Sequence, residues 1–189
     1  MNRFYIAIAA VVVIAGGAAA YLLIAKPGGD NNSSKKTDTV SVAPLSSVTA
    51  CDVLTEDVAK AILGDDVTQP DGSIGDISTS DIAVTNCNFT TKITSTDTSS
   101  LPKASGVSVL ARVAKTQAGA TDNKTQFNSR PDGVEDVAGL GDSAFYNPSF
   151  RQLNILKGNN WYIVTHYIDT ITNANLDSDK KLAEKIQFK

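Results

Sequence analysis

Residues 152–168 read QLNILKGNNWYIVTHYI. Two β-rich runs flank Gly158-Asn159-Asn160. Because Gly and Asn tolerate positive φ, the stretch predicts an antiparallel hairpin of strands 152–157 and 161–168. Alternation places Tyr162, Val164, His166 and Ile168 on one face of the second strand, and Trp161, Ile163, Thr165 and Tyr167 on the other. A hairpin needs further strands or helices to bury its apolar side.

Those partners are legible on both sides. Upstream, Ser143–Tyr146 suits a short strand. Val134 to Gly141 reads as a turn-rich link in which Val134, Val137 and Leu140 can pack inward. Val107 to Val113 alternates cleanly, with Val107, Val109, Ala111 and Val113 on one face. Ile82 to Phe89 is a β-rich run with partial alternation. Residues 65–79 and 92–105 read as loops, with Gln69-Pro70-Asp71-Gly72 a turn.

Helices punctuate the strands. Thr55 is a good N-cap for residues 56–63, Glu56 and Asp57 suit the positive end of the helix dipole, and Gly64 suits the C-terminal stop. Leu54, Val58, Ile62 and Ala61 would form its apolar face. Residues 116–129 predict a weak helix, because Gly119 and the Thr/Asn content disfavour it. Ser178 to Gln187 predicts a last helix with Leu182 and Ile186 four residues apart. The order α-β-β-α-β-β-β-α, joined by hairpins, predicts an α+β fold: an antiparallel sheet with packed helices. Helix followed by strands recurs, but no residue-level repeat accompanies it.

The N-terminal part is different. Phe4 to Ala25 holds 22 residues without a charge. As a helix this is roughly 33 Å, enough to cross a hydrocarbon core of about 30 Å. Tyr5 and Tyr21 sit near its ends, where amphipathic rings favour the lipid–water boundary. An uncleaved signal anchor needs only this span. A cleaved signal peptide would use Ala18-Ala19-Ala20, and a lipoprotein signal would need a cysteine before Cys51 that does not occur. The expected organisation is a cytoplasmic terminus over 1–3, a transmembrane signal anchor over 4–25, a Gly-, Asn-, Ser- and Thr-rich linker over 26–50, and a globular domain over 51–189. The linker would span roughly 25–30 Å as a random coil. Arg3 and the α-amino group favour the N-terminus inside, whereas Lys26, Lys35 and Lys36 argue the reverse.

Cys51 and Cys87 are the two cysteines of the chain. A helix packed on the strand that carries Cys87 would bring them into bridging range. Zinc lacks ligands, since His166 is the single histidine, and the pair is not a redox Cys-x-x-Cys. A structural disulfide is the expectation, with two buried free thiols as the alternative. A disulfide needs an oxidising compartment, which places the domain outside the cytoplasm, or secreted if the signal is cleaved.

Charge removes one class of function. Residues 51–189 carry 13 basic and 18 acidic groups, a net of −5, with no basic stripe, so nucleic acid is disfavoured. Residues 52–81 hold eight acidic groups against Lys60 alone, which admits a cation or a basic partner, or a solvated acidic face. His166 could serve a nucleophile–His–acid triad, but no Gly-x-Ser-x-Gly elbow occurs, and Gly141-Asp142-Ser143-Ala144-Phe145 fails that pattern. Asn173, Asn175, Asp177, Asp179 and Glu184 echo a calcium-loop spacing, yet Ser178 replaces the glycine and a strand precedes the loop; helix capping explains the same residues. Asn88-Phe89-Thr90 and Asn123-Lys124-Thr125 fit the glycosylation sequon. No catalytic, cofactor-binding or metal-binding residue and no cofactor is assigned.

Cys51, the helix 55–63, Cys87-Asn88-Phe89 and Val137-Ala138-Gly139-Leu140-Gly141-Asp142-Ser143-Ala144-Phe145 together resemble small cell-envelope lipoprotein domains of unknown function from high-GC Gram-positive (actinobacterial-type) bacteria. The resemblance covers most of 51–189. It implies a sheet-and-helix sandwich like that of the PsbP and Mog1 proteins and a surface role in the envelope, and it carries no catalytic residues. This chain departs from it in using an apolar span where those proteins have a lipobox cysteine. The expected function is a membrane-anchored extracytoplasmic binding or interaction module with a protein or glycan ligand. An envelope hydrolase with an unidentified site, or a structural envelope component, are the alternatives.

Overall fold

The computed structural model describes residues 45, 47–69, 77–91, 104–169 and 173–189. The expected anchor over 4–25, most of the linker and the core of the Gln69–Gly72 turn lie outside these residues. Among the described residues no helix is long and apolar enough to cross a membrane.

Alternation decides the architecture. Strand β2 (Ile82–Thr91), β3 (Gly106–Ala114), β5 (Ser143–Asn147), β6 (Gln152–Lys157) and β7 (Asn160–Tyr167) form the body of a seven-stranded antiparallel sheet. Two further strands of two residues each, β1 (Val67–Thr68) and β4 (Glu135–Asp136), finish its edges. The order across the sheet is β1-β2-β3-β7-β6-β5-β4. The chain thus makes two meanders that run inward from opposite edges and meet at β3 and β7. Strands β1 and β4 lie in segments expected to be a loop and a turn-rich link, because two residues carry no periodicity to detect.

Register aligns the apolar faces. Val109 lies opposite Cys87 on one side and Val164 on the other, and Val164 faces Leu153. These side chains, with Val107, Ala111, Tyr162 and Ile155, form the buried face. Helices α1 (Glu56–Leu63) and α3 (Leu176–Ala183) cover that face. Helix α2 (Gln117–Asn128) packs on the other face, against β3 and β7. Burying a Leu, Ile or Val side chain contributes about 1.5–3 kcal/mol, so this continuous layer is the main source of stability.

Helix α1 begins as its sequence requires: the Thr55 side chain accepts from the Val58 N–H, and Gly64 ends the helix at φ 91°. Its inward residues are Val58, Ala59, Ile62 and Leu63; Ala61, expected on that face, is exposed. Packing continues upstream of Cys51, where Ala50 is fully buried and its N–H donates to Thr85 Oγ1 at 2.8 Å. Gly119, which weakens α2 by propensity, is required by packing. A Cβ there would lie 2.1 Å from the Asp81 carbonyl oxygen.

Helix α3 starts at Leu176, two residues before the expected Ser178, because Asn175 takes the cap and accepts from the Ser178 N–H. It ends at Ala183 rather than Gln187, although Ile186 remains buried beyond it. The β6–β7 turn is tighter than expected. Lys157 pairs with Asn160, so Asn160 belongs to the strand, buried, with its Oδ1 accepting from the Ala114 N–H at 3.1 Å. Strand β7 stops at Tyr167, leaving Ile168 half-exposed and off the buried face.

Candidate functional site

Cys51 and Cys87 are joined as a disulfide, with Cα atoms 5.1 Å apart. A 3₁₀ turn over Ala50–Asp52 presents Cys51, which is exposed, while Cys87 points into the core from β2. The bridge clips the entry of the domain to its sheet. Gln69 Nε2 approaches both sulfurs, at 3.5 and 3.6 Å.

His166, Ser178 and Asp179 are brought together under α3, the residue types of a hydrolytic triad. Their wiring is structural. His166 Nδ1 lies 3.1 Å from the Ser178 carbonyl oxygen, Ser178 Oγ donates to the His166 carbonyl at 2.8 Å, and Asp179 Oδ1 accepts from the His166 backbone N–H at 2.6 Å. No side chain of the three holds another side chain in the geometry of a nucleophile and its base. All three are buried. Burial holds the His166 imidazole below its usual pKa and pushes the Asp179 carboxyl up to about 8. The backbone N–H groups of His166 and Leu153 favour the anion, but burial outweighs both, so the neutral acid is the form this pocket favours.

The calcium-like spacing resolves into capping. Asn175 caps α3, Asp177 and Glu184 face solvent, and Asp179 faces the core. The described residues contain no group of three His, Cys, Asp or Glu side chains able to hold a metal. The described acidic residues of 52–81 are equally dispersed: Asp52 accepts from the Thr49 N–H, Glu56 pairs with Lys60, and Asp81 accepts from Thr116 Oγ1. Asn123 of the second sequon is fully buried and donates to the Arg112 and Asn159 carbonyls, each at 2.9 Å, so the folded domain cannot present it.

The Gly139-Leu140-Gly141-Asp142 segment is a clamp on the β6–β7 hairpin. The Asp142 N–H donates to the Leu156 carbonyl at 2.8 Å, and its carboxylate accepts from the Gly158 N–H at 2.6 Å and from Lys157 Nζ at 3.0 Å. These bonds hold the Asp142 carboxyl below the usual carboxylate range. Gly141 has φ 60° and a Cβ there would sit 2.4 Å from the Leu156 carbonyl oxygen. Gly141→Ala is expected to destabilise the domain by about 2–3 kcal/mol, read as a lower urea midpoint. A loss under about 0.5 kcal/mol would mean that the clamp yields freely. Beside this segment lies an open depression of about 480 Å³ that includes Arg130 and Ser143. Arg130 is already committed there: it stacks over Phe127 and Phe145, pairs with Asp136 and donates to Ser143 Oγ.

The remaining surface of interest is the sheet face opposite α1 and α3. Helix α2 covers only part of it: Phe127 packs on Phe145 and Trp161, and Asp122 and Asn123 hold Arg112. Beyond α2 the register aligns Asn86, Leu110 and Ile163 in one row, Asn88, Ser108 and Thr165 in the next, and Thr90, Gly106 and Tyr167 in the last. All but Gly106 are half-buried, and none is charged. The alternation of Ile163, Thr165 and Tyr167 was visible in sequence. Their alignment with Asn86 and Asn88 was not, because it depends on the pairing of distant strands. The chain matches no protein-family model, no curated protein and no solved structure.

Proposed function

We propose that the chain is a membrane-anchored interaction module of the cell envelope, with residues 4–25 as the anchor and the disulfide-bonded domain outside the cytoplasm. The observation that carries the binding role is the half-covered second face of the sheet, an uncharged surface in an acidic domain. The disulfide supports an oxidising compartment. The backbone wiring of His166, Ser178 and Asp179 speaks against the hydrolase alternative.

The test uses cells that express the full chain. Without reductant, a membrane-impermeant maleimide should label nothing, and after reduction it should label the exposed Cys51 on intact cells. Labelling before reduction, or labelling only after lysis, would overturn the placement. For the binding role, envelope fragments should co-sediment with vesicles carrying the full chain, and Asn86→Lys together with Thr165→Lys should abolish this. Equal co-sedimentation by wild type and variant would sink the assignment of the face.

A further inference from the structure

The open part of the second sheet face combines three properties that narrow its ligand. First, its polar groups are unspent. Asn86, Asn88, Ser108, Thr165 and Tyr167 present their amides and hydroxyls at half-buried positions, and no hydrogen bond joins these side chains to other described residues. The buried asparagines elsewhere, Asn123, Asn147, Asn154 and Asn160, bond to the chain, as do Asn173 and Asn175 where α3 begins. Each free amide offers two donors and a carbonyl acceptor, and each hydroxyl offers both roles.

Second, the surface is electrically neutral. Among the residues of β2, β3 and β7 on this side of the sheet, Arg112 alone is charged; it lies a row away and is held by Asp122 at 3.0 Å. An anionic or cationic ligand gains nothing here. Third, the apolar content is small and placed between the polar groups. Leu110 and Ile163 lie side by side in the Asn86 row, and the Tyr167 ring lies across Gly106, where a Cβ would come within 2.3 Å of its hydroxyl oxygen. A protein partner would ask for a larger desolvated apolar centre.

We propose that this surface binds an uncharged polyhydroxylated chain, a neutral glycan. Asn86 and Asn88 bond its hydroxyl pairs, Ser108 and Thr165 bond single hydroxyls, and Tyr167 with Leu110 and Ile163 takes the C–H faces of the rings. Neighbouring strands repeat at about 4.8 Å, close to the length of one sugar ring in an extended chain, so successive sugars can lie across β2, β3 and β7. The inference rests on the domain being a binding module and adds the ligand class.

The full chain, in a detergent without a sugar headgroup, is titrated with cello-, chito- and manno-oligosaccharides, with polygalacturonate as the anionic control. The readouts are the side-chain amide resonances of Asn86 and Asn88 and calorimetry. At least one neutral series should shift those resonances. Asn86→Ala with Asn88→Ala should weaken binding by tenfold or more, as should Tyr167→Ala, whereas Tyr167→Phe, which keeps the ring, should retain most of it. Raising the salt concentration should leave the affinity unchanged. Failure of all three neutral series, binding of polygalacturonate alone, or variants that bind as wild type overturn the proposal. A protein captured through the same residues overturns it too, but leaves the interaction-module reading standing.

Discussion

Replacing Asp179 by Asn should remove most of the fall in stability that the wild-type domain shows as pH rises from about 6.5 to 8. Asp179 is fully buried, and burial raises its carboxyl to about 8 from the ordinary value near 4, against the His166 and Leu153 backbone N–H groups that favour the anion. The folded state therefore keeps a proton that the unfolded chain has released. That contribution is fully present below about pH 4 and is lost as pH rises through about 8. Four pH units at about 1.4 kcal/mol each set an upper limit of about 6 kcal/mol. The N-terminal position in α3 favours the anion by only about 0.3–1 kcal/mol, too little to reverse the sign. His166 acts in the other direction: burial lowers its pKa, so it costs stability as pH falls below about 6.5. The slope from Asp179 should thus stand alone between about 6.5 and 8. Urea midpoints across pH 5–9 for wild type and Asp179→Asn check this, with the variant more stable than wild type at pH 9. Parallel curves would show that Asp179 is ionised in the fold.

Breaking the Cys51–Cys87 bridge should cost about 4 kcal/mol, because its 36-residue separation sets the chain entropy released on unfolding. Alanine at both positions is the cleaner test, since serine at Cys87 would bury a hydroxyl in a site that is 1% exposed. The double variant should unfold at clearly lower urea, and reductant should shift wild type to meet it. If reductant moves both proteins equally, the bridge is not what it acts on.

How much of this was legible follows from what each residue depends on. The strands around 107–113 and 152–168 announce themselves by local alternation, and Thr55 and Gly64 mark α1 by local chemistry. The cysteine pair was readable because no competing partner exists in the chain. The edge strands Val67–Thr68 and Glu135–Asp136 are set by the neighbours they pair with, so no local pattern could show them. Asp179 read as a cap or a metal-like ligand; its burial depends on α3 lying over β6 and β7. The candidate surface was half visible. One strand's alternation gave Ile163, Thr165 and Tyr167 a common side, but their union with Asn86 and Asn88 is a property of register across β2, β3 and β7. The resemblance to envelope lipoproteins keeps the standing of a proposal, as do the anchor and the linker. The Gly-Leu-Gly-Asp segment that carried the resemblance has a structural explanation in the hairpin clamp.

The meeting of the two meanders at β3 and β7 has a kinetic consequence. Gly106 pairs with Tyr167 across some sixty positions of chain, so the middle of the sheet is its least local part. Such distant pairing slows folding, because the loop must close before any contact rewards it. The disulfide loop, by contrast, lies wholly within the first meander and its preceding helix. In a chain delivered N-terminus first, the crosslink can form while the centre of the sheet is still missing. The last long strand then closes the sheet between two partly built edges.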